Sequence, residues 1–241
     1  MFKLENSVLA AIFIVFIFAP FIVAIFVEKS EGHDSETEDR MKRLEYAIVR
    51  DEGLRLKPYL LDGIAHIGVG RNLVGKGLSY AELIVLNGGK PLAPDKHIFR
   101  DRSHYPHWNA HNYIVFSLDA FQHFFPNGIT EEGAHHLLLD DINDAKNICI
   151  QLVTWQIWEE LNKPRQEVLI NLAFNLGEPR LSEFVKMLAA IDALDYEKAA
   201  EELLDSEAAR SKELKQRYQR LAITLRTGQY VYMPRQLHNA P

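Results

Sequence analysis

Three side chains able to hold or exchange a proton, Glu52, Asp62 and His66, fall close together, just ahead of a Gly68-Val69-Gly70 run. An imidazole works as base or nucleophile near neutrality, whereas a carboxyl group donates a proton only where burial or reduced solvation keeps it un-ionised. Taken singly, each has a plain structural explanation. Glu52 stands where a first helix ends, Asp62-Gly63 is a favoured turn pair, and His66 lies in a hairpin. A second collection, His97, His104, His107, His111 and His123 among Tyr, Trp and Phe, invites a metal reading. Only His107 and His111 have helical ligand spacing, and Asn109 and Pro106 argue against a helix there, so no metal site and no cofactor is expected.

The elements that must position these groups follow from pattern. Met41, Leu44, Ala47 and Ile48 recur at helical spacing up to Gly53. Tyr59 to Val69 places Asp62-Gly63 between short apolar stretches, which predicts a hairpin in a small sheet. After Thr130, an N-cap followed by Glu131 and Glu132, the chain reads as helical. Leu137, Leu138, Ile142, Ala145 and Ile148 make one face. Pro164 opens the next helix, which Gly177 ends, and further helices fit 182–192, 196–204 and 214–226 before Gly228. The stretch 74–127, with Gly88-Gly89 and four prolines, has no clear period.

The whole chain has 241 residues and a formal charge of −6. Cys149 is its single cysteine, which excludes an internal disulfide and a thiolate zinc site. Residues Val8 to Val27 form an unbroken apolar run containing Pro20. Twenty residues at about 1.5 Å each span roughly 30 Å, the thickness of a bilayer's hydrocarbon core. With only Lys3 ahead of it and a bulky Ala24-Ile25-Phe26 exit, the run is expected to be an uncleaved transmembrane anchor behind a short flank, 1–7. Residues 28–39 hold six acidic groups against Lys29 and read as a solvated linker. The folded part, 40–233, is then near neutral and followed by a tail, 234–241, so nucleic-acid binding has no electrostatic support. The basic segment Asp205 to Arg235 suits an anionic polymer or a solvated helix surface equally.

Three segments resemble the lysozymes of T-even and lambdoid-type phages, glycoside hydrolase family 24. They are Arg50-Asp51-Glu52-Gly53-Leu54-Arg55-Leu56-Lys57 with Ile67-Gly68-Val69-Gly70; Gly128-Ile129-Thr130 with Asp141; and Leu169 to Gly177, continued by Phe184, Tyr196 to Ala200 and Leu225 to Gly228. The resemblance implies an α+β, mainly α, two-lobed domain, a small β-hairpin lobe and a helical lobe, behind the N-terminal transmembrane helix. It places an insertion at about 74–127 and makes Arg71 and Asp141 a pair that bridges the lobes, worth about 0–1 kcal/mol if exposed.

The implied activity is a muramidase: cleavage of the β-1,4 bond between N-acetylmuramic acid and N-acetylglucosamine by an endolysin. Its partner is peptidoglycan, its state a monomer, and its place the host inner membrane with the domain facing the cell wall. That orientation rests on the implied function, because the basic residues flanking residues 8–27 do not favour it. Glu52 matches the family's general acid and Arg217 the arginine set against it. Gly70, Asn72, Phe174 and Asn175 match positions facing the sugar. The second catalytic group departs from the pattern. Leu61 stands where the family has aspartate, with Asp62 one residue later, and His66 replaces a threonine. Asp62 shifted into place, His66 as base, and His66 as covalent partner all stay open. So do a murein-binding relic without hydrolysis and a lytic transglycosylase.

Overall fold

The computed structural model describes residues 37–90, 106–109 and 113–231. The anticipated anchor at 8–27, the tail and part of the 74–127 insertion lie outside these residues. Among the described residues no helix is long and apolar enough to cross a membrane. The chain divides into two compact units, 1–46 and 47–241. Residues 37–52 are helical (α1): those up to Tyr46 belong to the first unit, and 47–52 open the second. The helix therefore begins inside the stretch expected to be linker, 28–39, where Thr37 and Glu38 already support a Glu38–Lys42 pair one turn apart.

After α1 the chain forms strands β1 (Arg55–Leu61), β2 (Ile64–Gly68) and β3 (Arg71–Asn72) in one antiparallel sheet of that order. The β1–β2 loop is Asp62-Gly63, with φ of 50° and 77°. Two positive φ values in a two-residue loop match the right-handed twist of the strands it joins. Helix α2 (Tyr80–Leu86) starts at a capping box, in which Ser79 Oγ accepts from Glu82 N and Glu82 Oε2 accepts from Ser79 N. A two-stranded ribbon of β4 (His107–Trp108) and β5 (Ile114–Val115) leads to α3 (Leu118–Phe124). His107 thus lies on a strand, not on the helix that its spacing to His111 would have required.

The described parts of the aperiodic 74–127 stretch are no surface appendage. Its Leu78, Leu83, Ile114, Phe116, Phe121 and Phe125 close over Ala65 and Ile67 of β2 in a single apolar cluster. Gly128 then carries the chain under the sheet at φ 80°, where a Cβ would meet Leu56 O at 2.1 Å; the next residue's N–H donates to that same oxygen. Only glycine fits so close an approach at that φ.

The remainder is helical, as expected: α4 (Glu131–Glu160, capped by Thr130), α5 (Lys163–Ser182, capped by Asn162 with Pro164 in its first turn), α6 (Val185–Asp192), α7 (Tyr196–Leu204), α8 (Glu207–Arg210) and α9 (Lys215–Thr227, closed by Gly228 at φ 67°). Helix α8 is one the pattern did not predict, and three further details differ. Helix α4 is broken at Thr154, a β-branched residue held at φ 62°. Gly177 breaks α5 without ending it, since helix resumes to Ser182. Helix α6 starts at Val185 rather than at 182. Cys149 is buried on α4, and desolvation pushes its thiol up to about 12, so it stays protonated and chemically silent.

Arg71 and Asp141 do pair, at 2.9 Å, but in the interior instead of at the surface. The Arg71 guanidinium also donates to Glu82 Oε1 (2.7 Å) and to the Gly77 and Leu137 carbonyls. It is 2% exposed. Lys76 approaches Asp141 and Asp144 from outside. Breaking a buried pair by removing one partner leaves the other charge uncompensated, which costs about 3–5 kcal/mol. Arg71→Ala strands Glu82 and is expected to lower the melting temperature by roughly 10 °C, given about 2–4 °C per kcal/mol for a domain of this size; thermal circular dichroism measures it.

Candidate active site

The site is assembled from three helix segments brought together by one cation. Helix α1 ends in Asp51-Glu52, α5 presents Asn171 and Asn175 one turn apart, and α9 presents Arg217 and Arg220 on one face. The Arg217 fork satisfies all three helices. Its Nη1 donates to Glu52 Oε1 at 2.6 Å, its Nε to Asn171 Oδ1 at 2.9 Å, and its Nη2 to the Asn171 carbonyl at 3.0 Å. Asp51 Oδ2 lies 3.7 Å from Nε, adding a second countercharge. Arg217 is only 5% exposed, so it is held as part of the core.

Asp51 is the anchor behind Glu52. Arg220 Nη2 donates to its Oδ1 at 2.5 Å, and Arg50, from the solvent side, donates to both of its oxygens. Its side chain is almost wholly buried. Burial pulls the Arg220 guanidinium below its ordinary value, opposed by the neighbouring Asp51 carboxylate. Asn175 Nδ2 also donates to Glu52 Oε1, at 3.2 Å. Both donors therefore converge on one oxygen. Among the described residues Glu52 Oε2 accepts no hydrogen bond, and about a fifth of the side chain remains exposed. The carboxyl group is thus fixed through one oxygen and open at the other.

The sheet supplies the other surface. Tyr59 and His66 are direct cross-strand partners, and His66 is in turn paired with Asn72, so the three share one face while Ala65, Ile67 and Arg71 point into the core. The Tyr59 and His66 rings stack at 5.7 Å, and the Arg55 guanidinium lies 4.3 Å from the Tyr59 ring centre. Burial raises the Tyr59 phenol above its usual value; Arg55 opposes this, and the Glu52 carboxylate adds to it. Glu52 is thus within electrostatic reach of this face. His66 Nδ1 lies 2.9 Å from the Ile64 carbonyl, so that nitrogen carries the hydrogen, and in the neutral ring the lone pair is on Nε2.

The other anticipated residues divide. Asp62 sits at the apex of the turn, exposed, with no hydrogen-bond or ion-pair partner among the described residues. Gly70 is exposed at φ 85° with open space around it. Asn72 faces the right way, but its Oδ1 is engaged with the Val74 and Gly75 amides, closing the following loop, so only its Nδ2 is left to reach outward. Phe174 is half-buried beside Asn175. A groove of about 860 Å3 runs along the helical side, lined by Leu176, Phe184, Met187, Glu202 and Leu214, and its wall includes Asn175. It meets the Glu52 cluster through that residue. Sequence reasoning did not single out Asp51, Asn171, Arg220 or Tyr59 as site residues. The available signals were the pairing of Asn171 with Asn175 and of Arg217 with Arg220 at helical spacing.

The phage lysozyme family model matches residues 119–222, which include Asn171, Phe174, Asn175 and Arg217 and begin after Glu52 and the hairpin. The pre-baseplate central spike protein Gp5 of Enterobacteria phage T4 is 30% identical over 152 residues, 62% of this chain and 22% of that protein. The chain thus matches about a fifth of that relative's length.

The Arg217 cluster makes a graded prediction. Asp51→Asn removes the countercharge of one buried and one part-buried guanidinium group and is expected to cost about 3 kcal/mol in urea unfolding. Arg50→Ala, at the solvent edge, is expected to cost less than about 1 kcal/mol.

Proposed function

We propose that the chain, whose residues 119–222 match the phage lysozyme family model, is a muramidase cutting the β-1,4 bond between N-acetylmuramic acid and N-acetylglucosamine in peptidoglycan. The observation that carries this reading is the carboxyl group of Glu52, pinned through Oε1 by Arg217 and Asn175 with Oε2 left open. Hydrolysis of a glycoside requires a proton on the leaving oxygen and a group opposite that handles the anomeric centre. Glu52 provides the first. The face bearing Tyr59, His66 and Asn72 provides the second, with Asn175, Phe174 and Gly70 as further sugar contacts.

The apolar run Val8–Val27 acts as a permanent single-pass anchor in the host inner membrane. It holds a monomeric domain on the wall side, and the role is that of an endolysin. A second reading has one observation in its favour. Leu61, 56% exposed near the hairpin tip, is no acid or base, which suits a domain that binds murein without cutting it. The full-length chain is expected to solubilise purified sacculi and release reducing ends. Glu52→Gln is expected to lower the rate at least about 1,000-fold, since it removes the proton donor while keeping the hydrogen bonds to Oε1. Equal activity of the two proteins would sink the assignment of Glu52, sacculi left intact by the wild-type chain would favour the binding role, and anhydro sugar ends in the mass spectrum would mark a transglycosylase.

A further inference from the structure

We infer that the second catalytic group is His66, acting through Nε2 as the general base that activates water, and that Asp62 is a turn residue with no part in the reaction. The inference rests on the hydrolase reading and chooses between the groups that reading leaves open.

Four observations carry it. First, Asp62 occupies a left-handed position at φ 50° in a two-residue loop followed by Gly63 at φ 77°; its presence there is accounted for by the turn alone. Its exposed carboxylate has no hydrogen-bond or ion-pair partner on the Tyr59 face among the described residues. Second, His66 is in mid-strand, and the register fixes which face it occupies: opposite Tyr59 on one side and Asn72 on the other. Third, the ring is held twice, by the stack on Tyr59 and by the Nδ1 contact with Ile64 O at 2.9 Å. A histidine whose Nδ1–H is tied to a carbonyl has its Nε2 fixed in direction, and in the neutral ring that nitrogen holds the lone pair a base needs. Fourth, the neighbouring cross-strand pair on the same face is Leu61 and Ile64, both exposed. On the described part of this face His66 is the group with a lone pair suited to taking a proton from water.

The step balances without any outside reagent. Water oxygen forms a bond to the anomeric carbon as the glycosidic C–O bond breaks. One water proton passes to His66 Nε2, and the Glu52 Oε2 proton passes to the departing sugar oxygen. The imidazolium then returns its proton to solvent and Glu52 takes one back, restoring both groups. Attack from the side opposite the leaving group inverts the anomeric configuration.

The test uses the full-length chain on purified sacculi. His66→Ala is expected to reduce turnover by about 100- to 1,000-fold, within the range a positioned general base contributes. Asp62→Asn is expected to stay within about threefold of wild type, because the carboxamide keeps the turn. Azide attacks without needing to lose a proton, so it is expected to restore turnover to His66→Ala and to yield an inverted glycosyl azide. Co-sedimentation with sacculi and the far-ultraviolet dichroism of His66→Ala are expected to match wild type, which separates lost chemistry from lost folding. The inference is overturned if Asp62→Asn loses as much activity as His66→Ala, if azide restores nothing to the folded variant, or if early products of the wild type retain configuration. An inactive wild-type chain would remove the hydrolase reading and this inference together, whereas an active chain indifferent to His66→Ala removes the inference alone.

Discussion

A guanidinium group buried to about 5% exposure has to be neutralised and hydrogen-bonded where it sits, and Arg217 meets that demand with groups from two other helices. Its planar fork fixes the directions as well as the charge: one edge is spent on Asn171 and one nitrogen on Glu52. The Asn171 carbonyl accepts from Nη2, and Asp51 stays buried because Arg220 and Arg50 balance it. Remove this cation and the end of α1 has no reason to present Glu52 in a single orientation. The reactive carboxyl group is thus a by-product of satisfying a buried positive charge.

The sheet side repeats the same logic with a different arginine. Arg71 lies in β3 one residue before Asn72, and the pleat sends the two side chains to opposite faces. Inward, Arg71 is neutralised by Glu82 and Asp141, which ties α2 and α4 to the sheet. Outward, Asn72 closes its own loop next to His66. Glu82 serves two purposes at once, capping α2 through one oxygen and pairing with Arg71 through the other. The rigidity of the outward face therefore comes from the ion pairs beneath it. Its breadth comes from Tyr59, whose ring bridges from Arg55 to His66.

These two clusters also explain why the stretch 74–127 cannot be treated as dispensable. It brings Glu82 to Arg71 and Phe116, Phe121 and Phe125 to the underside of β2. A strand whose inner face is covered by aromatic rings holds its register, and register decides that His66, rather than Ala65 or Ile67, faces outward.

What the amino-acid order determined by itself was much of what neighbours a few residues apart govern. The Asp62-Gly63 hairpin, the Thr130 cap, the Pro164 start, the 196–204 helix and the Gly228 stop all depend on backbone angles and local hydrogen bonds, and they stand where the pattern placed them. The Asp-Glu-Gly run and the Arg217 match likewise pointed to the two ends of the central ion pair. Only the tertiary structure decided the rest. Asp51 shares Arg217 and Arg220 across 166 and 169 positions of sequence, Glu82 takes a share of Arg71, and Tyr59 stacks on His66. Such partnerships leave no periodic trace, because a buried charge is satisfied by whatever group the packing brings within about 3 Å, and distance along the chain does not enter.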